Sequence, residues 1–165
     1  MSLTAEQKKN YYRRAKVVDH LVKLDAQKDG HVIYGAQAIN AQLPGYLEKQ
    51  TEDYDIYAKN PKKEAKQMEK KLDKAFGGDY FESKPAQHPG TWKVRSKVTK
   101  RGVVDYTKPT KKVKSKIVYG NKYETLKSMK KHIKKTLKDE SAAFRHDKDF
   151  EALQRIKLNE RGLGW

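Results

Sequence analysis

Cysteine is absent from the 165 residues. That excludes a disulfide framework and any zinc site built on thiolates, and it leaves secretion without support. No apolar run approaches the ~20 residues of a membrane helix. The N-terminal stretch MSLTAEQKKNYYRR lacks the apolar core of a signal peptide. A cytoplasmic location with no membrane partner is the expectation. The five histidines, His20, His31, His88, His132 and His146, show no H-x-x-x-H or H-E-x-x-H spacing, which makes a histidine zinc site improbable. No G-x-x-x-x-G-K-[ST] phosphate loop and no G-x-S-x-G nucleophile elbow occur either.

Acid is scarce relative to base. Only 21 Asp plus Glu stand against 38 Lys plus Arg, a formal charge of +17. Such a surface attracts polyanions, most commonly nucleic acid, through counterion release and long-range steering. The excess is uneven: Lys108 to Lys138 holds twelve lysines and one acid, Glu124. Within that basic segment, Lys111, Lys112, Lys114 and Lys116 are the candidate nucleic-acid contacts. The competing reading is a solvated, lysine-rich surface that keeps the protein soluble.

The length fits one domain over residues 1–165, with mobile ends. Thr4 and Gln7 have capping-box spacing, and Tyr11, Ala15, Val18 and Val22 follow at helical steps, predicting one amphipathic helix over 5–27. HVIYG reads as a short strand, AQAINAQL as a short helix and Pro44-Gly45 as a break. DYDIYA alternates as a strand should. Asn60-Pro61 opens a helix with Ala65, Met68, Leu72 and Ala75 as its buried stripe and Gly77-Gly78 as its stop. Three strands follow, DYFESKP, GTWKVRSKV and GVVDYTKP. Residues 108–116 read as a basic loop or ribbon. Leu126, Met129, Ile133 and Leu137 mark one later helix, and Phe150, Leu153 and Ile156 another. The order predicts an α+β fold, with a mixed or antiparallel sheet backed by helices.

The informative residues are acidic. In a chain this basic, Asp53 and Asp55 lie two apart on a predicted strand, so both carboxylates leave one face and repel unless a positive charge intervenes. Asp105 sits on a later apolar strand. If the strands are neighbours, three carboxylates converge into a hard-oxygen site for Mg²⁺ or Mn²⁺. Singly, a D-x-D on a strand is ordinary edge surface, and Asp105 an acid near a turn. Upstream, the YGA turn opens a helix whose first N–H groups can face a phosphate, although Gly35 also suits a plain tight turn. Nine of the ten tyrosines, together with Trp92, include candidate base-stacking platforms, most of them more simply read as core.

YGAQAIN, TEDYDIY and VVDY, in that order, resemble the nucleotidyltransferase superfamily typified by DNA polymerase β. Its pattern is an hG[GS] turn, a [DE]h[DE]h strand and a third acid on a later strand. The catalytic cores of large-DNA-virus poly(A) polymerases and the bacterial abortive-infection and toxin nucleotidyltransferases look closest. RHDKDFEALQRI, residues 145–156, resembles the Arg-x-x-Lys-Asp helix of the latter. The resemblance implies a nucleotidyltransferase fold and metal-dependent transfer of a nucleoside monophosphate from an NTP to an acceptor, with RNA the favoured acceptor. It implies that Asp53, Asp55 and Asp105 hold the metals, that Asp105 helps activate the acceptor hydroxyl, and that Gly35 and Ala36 lie by the triphosphate. Lys148 becomes a candidate phosphate contact. One departure is Ala36, where the pattern has Gly or Ser: it keeps the N–H but offers no hydroxyl. The alternatives are a catalytically silent nucleic-acid-binding module and an enzyme that modifies a protein or small molecule. A protein partner also fits.

Overall fold

The structure is a computed structural model that describes residues 3–161, so the expectation of mobile ends falls largely outside it. Six α-helices and seven strands are described: α1 (Ala5–Arg13), α2 (Ala15–Asp25), β1 (Val32–Tyr34), α3 (Gly35–Gln42), β2 (Tyr54–Tyr57), α4 (Pro61–Phe76), β3 (Phe81–Pro85), β4 (Thr91–Ser96), β5 (Gly102–Thr107), β6 (Ser115–Val118), β7 (Asn121–Glu124), α5 (Leu126–Leu137) and α6 (His146–Glu160). The strands form one mixed sheet in the order β3-β4-β5-β2-β1-β7-β6. β2 pairs with β5, and β1 with β7, in parallel; the other neighbours are antiparallel.

Alternation along the strands gives the sheet two unlike faces. The rear face carries Ile33, Tyr54, Ile56, Val94, Val104 and Tyr106, all buried. Against it pack α4, through Ala65, Met68, Leu72 and Phe76, and the α1–α2 arm. Tyr54 donates to Asp19 and Tyr106 to Asp25, which ties α2 to β2 and β5. The opposite, front face carries Tyr34, Asp55, Tyr57, Lys93, Asp105 and Thr107 by the same registers. Beside it α3, α5 and α6 pack on one another, and Arg155 of α6 donates to Asn40 of α3.

Several expectations need correction. The single helix over 5–27 is two, broken at Arg14 (φ −106°, ψ 14°). Its guanidinium donates to the Ala75 carbonyl at 2.7 Å, so a tertiary contact at the end of α4 accompanies the break. In α4 the last buried position is Phe76; Ala75 is only half-buried. In α6 Phe150 is 57% exposed and Asp149 is buried instead, held by Arg145. The segment after Lys108 stays loop only to Lys114, and β6 and β7 then form a hairpin that the lysines masked. Its turn, Tyr119-Gly120, has positive φ at both residues (49° and 86°), the pattern of a tight two-residue hairpin connection.

Candidate active site

The parallel pairing of β2 with β5 sets Asp55 directly beside Asp105 in register, on chains ~4.8 Å apart. On the other side Asp55 registers with Tyr34 of β1, and Asp105 with Lys93 of β4. Lys93 in turn registers with Lys84 of β3. The front face therefore bears a straight row, Lys84, Lys93, Asp105, Asp55, Tyr34, that crosses five strands. One row further along, Thr91 and Thr107 share a hydrogen bond at 2.9 Å and Thr107 shares another with Tyr34 at 2.8 Å. The Tyr34 and Tyr57 rings stack at 4.0 Å, which closes one wall of the site.

Asp55 lies at the centre. Burial, then the charges of Asp105 and Asp53, push its carboxyl up to about 7. Arg145 and Lys148, near the start of α6, pull in the other direction. Burial and Asp53 also raise Asp105, against the lowering effect of Lys93. Two adjacent half-buried carboxyls whose proton affinities are both raised by burial and by neighbouring acids are short of positive charge.

Gly35 shows why this turn takes glycine. Its φ is +70°, and a Cβ built there would sit 2.3 Å from Asp55 Oδ2. Both the left-handed backbone and the space exclude a side chain. Ala36 follows in the first turn of α3, half-buried.

Asp53 departs from the drawn geometry. β2 begins at Tyr54, so Asp53 is exposed ahead of the strand, with its carboxylate accepting from Thr51 at 2.9 Å and its carbonyl from Gln37 at 3.1 Å. Its charge still reaches Asp55 and Asp105. Lys148 is exposed on α6. Arg145, beside it, is a site-facing cation whose guanidinium grips Asp149 through both Nε and Nη2 at 3.0–3.2 Å. The basic quartet is spread out. Lys111, Lys112 and Lys114 lie in the loop, with Lys111 near Glu124 and Lys135, and Lys116 lies on the edge strand β6. Three sheet spacings separate β6 from β2, ~14 Å.

Sequence reasoning missed Lys84 and Lys93. The signal was the alternation in GTWKVRSKV, which sends Lys93 and Arg95 to one face and Trp92 and Val94 to the other. It also missed a rear cluster that no spacing rule reaches. Asp25, His31 and Glu64, from three separate segments, bring ligand atoms within 4.8 Å of one another and could hold a metal. His31 is buried, with Nδ1 3.5 Å from Asp25 and Nε2 3.6 Å from Glu64. The Lys28 ammonium already lies 2.9 Å from Asp25 and 3.4 Å from Glu64. Burial raises the Asp25 carboxyl, but His31, Tyr106 and Lys28 outweigh it and hold that carboxyl at about 2. This cluster supplies its own positive charge; the front pair does not.

The sheet order and the packing define a nucleotidyltransferase-like fold. Among solved structures the chain is similar to the Megavirus polyadenylate synthase, with a TM-score of 0.69 and 19% identity over 89% of this chain. It spans only 31% of that protein's length. A lower-scoring similarity is to JHP933 from Helicobacter pylori, with a TM-score of 0.44 and 11% identity, covering 82% of this chain and 58% of that one. No family model matches the sequence, and no curated protein does. Among the described residues no helix is long and apolar enough to cross a membrane.

Proposed function

We propose that the protein is a metal-dependent nucleotidyltransferase that moves a nucleoside monophosphate from an NTP to an acceptor hydroxyl, with RNA as the acceptor. The observation that carries this reading is the Asp55–Asp105 pair, in register on parallel strands, with Gly35 pressed against Asp55. Hard carboxylate oxygens short of positive charge suit Mg²⁺ or Mn²⁺, with Asp53 as the third member of the set once its carboxylate leaves Thr51. Such ions supply charge neutralisation on the phosphates and on the attacking and leaving oxygens.

The chain's own residues position and orient. The Gly35 and Ala36 amides lie at the start of α3, where its positive dipole end favours the triphosphate. Lys148 from α6 and Arg145 immediately before it add charge, and Lys93 borders Asp105 on the other side. Asp105 takes the proton as the acceptor oxygen bonds to the α-phosphorus. The bond from that phosphorus to its bridging oxygen breaks, and pyrophosphate leaves with the electron pair. Positioning and electrostatics account for the acceleration in this chemistry.

Incubation with each labelled NTP, Mg²⁺ or Mn²⁺ and single-stranded RNA is expected to label the RNA, and Asp55→Asn and Asp105→Asn are expected to abolish labelling while the fold persists. Label on the protein or on a small molecule instead would reassign the acceptor. A second reading, a silent nucleic-acid-binding module, draws on Ala36 and on the Asp53 carboxylate held by Thr51. NTP-independent RNA binding, with no metal or NTP affinity in the wild type, would select it.

A further inference from the structure

Behind the sheet, at the ends of β2 and β5, lies a groove of about 650 Å³ lined by Lys59, Lys62, Lys63, Lys66, Lys108 and the Trp92 ring. No acid lines it. None of its five lysines makes an ion pair with any carboxylate among the described residues. The Lys62 ammonium instead sits over Trp92, 5.4 Å from the ring centroid. The sixteen-residue α4 begins in the same groove, at Pro61. Its N-cap, Asn60, makes no side-chain cap, so the positive end of the helix adds to the lysines. Lys108 follows Thr107 at the end of β5 and its N–H donates to the Gly90 carbonyl, which fixes the groove wall to the β3–β4 turn.

We infer that this groove binds single-stranded nucleic acid, with a base stacked on Trp92 and the flanking phosphates on Lys59, Lys62, Lys63, Lys66 and Lys108. Charge complementarity selects a polyanion, since five uncompensated ammoniums repel one another until phosphates enter. The ring selects a strand with unpaired bases over a duplex, because stacking needs an open base face. Lys62 moves from the ring to a phosphate as the base arrives. Lys108 lies three residues beyond Asp105, ~10 Å along the strand. A strand that leaves the front pair past the ends of β2 and β5 therefore meets this groove next. The inference extends the RNA-acceptor reading but is read out without catalysis.

The sequence holds two tryptophans, Trp92 and Trp165, so Trp165→Phe leaves Trp92 as the sole tryptophan, read by excitation at the red edge where tyrosine does not absorb. Single-stranded RNA of about ten nucleotides is expected to quench it saturably, and a blunt duplex of the same length to quench it far less. Replacing Lys59, Lys62, Lys63 and Lys66 together with Gln is expected to weaken this binding and to flatten its salt dependence by about 0.7 in log–log slope per lost contact. Trp92→Leu, which keeps an apolar side chain against the sheet, is expected to weaken binding roughly five- to a hundredfold, read by anisotropy of labelled RNA. Unchanged Trp92 emission while anisotropy reports RNA binding would overturn the assignment. So would equal quenching by inorganic phosphate or a free mononucleotide, or no RNA binding at all. Asp55→Asn is expected to keep the quench. In the protein with Asp55 intact, absent transfer with intact quenching counts against the transfer reading alone, and absent quenching with intact transfer against the groove alone.

Discussion

Asp55 carries a pH signature. Its folded-state value of about 7 lies above the ordinary carboxylate range, so the folded state holds a proton that the unfolded chain has already released. Between pH ~4 and ~7 the metal-free protein therefore loses stability as pH rises, by at most about 4 kcal/mol for the full interval. Asp55→Asn is expected to melt like wild type near pH 4, and above it by a margin that widens up to pH 7 and then stays constant. Divalent ions are expected to close the gap by stabilising only the wild type. Thermal scans from pH 4 to 8, with and without Mg²⁺, read both effects, and a gap that is flat across that range would refute the buried-pair account. Gly35→Ala is expected to cost about 2 kcal/mol or more from its positive φ and the overlap with Asp55. Chemical denaturation measures the cost, and metal-dependent stabilisation is expected to vanish with it.

At the scale of elements, what was legible in the sequence follows from where local and tertiary signals agree. β2, α4 and β5 are plain in the residues because alternation, the Asn60-Pro61 start and the Gly77 stop all say the same thing. Asp55 and Asp105 were legible because a carboxylate inside an apolar strand is conspicuous. The β6–β7 hairpin was not: Lys-rich strands at a solvated sheet edge lack the apolar alternation that marks a half-buried strand. The break at Arg14 and the Asp25–His31–Glu64 cluster depend on contacts between distant segments, which periodicity does not record. The spread of Lys111, Lys112, Lys114 and Lys116 across the loop and the edge strand also bears on their role. Replacing all four with Gln is expected to weaken RNA affinity and flatten its salt dependence while NTP and metal binding persist, because Asp55, Asp105 and the YGA turn are untouched. An unaltered salt slope would reduce this segment to a solubilising surface. Lys148→Gln, on α6, is expected to raise the apparent KM for NTP severalfold with little change in melting temperature, as suits an exposed phosphate contact.

At the scale of the molecule, the +17 charge is gathered into separate regions. The front row sets Lys84 and Lys93 against the carboxylates, the rear groove collects five lysines around Trp92, and the β6 edge carries the rest of the loop block. Raising salt is accordingly expected to weaken RNA binding far more than metal binding at the half-buried pair, since exposed charges are screened first; parallel titrations at 50 and 300 mM salt compare the two. The β2–β5 pairing has a consequence for how the protein is made. Asp55 and Asp105 lie fifty positions apart and meet only when β5 slots in beside β2, after the intervening α4, β3 and β4 have emerged. A ribosome-bound chain that ends before Gly102 therefore holds Asp55 without its neighbour. Fragments that end before Gly102 are expected to show no metal-dependent stabilisation, because the proposed site forms only once β5 has closed against β2.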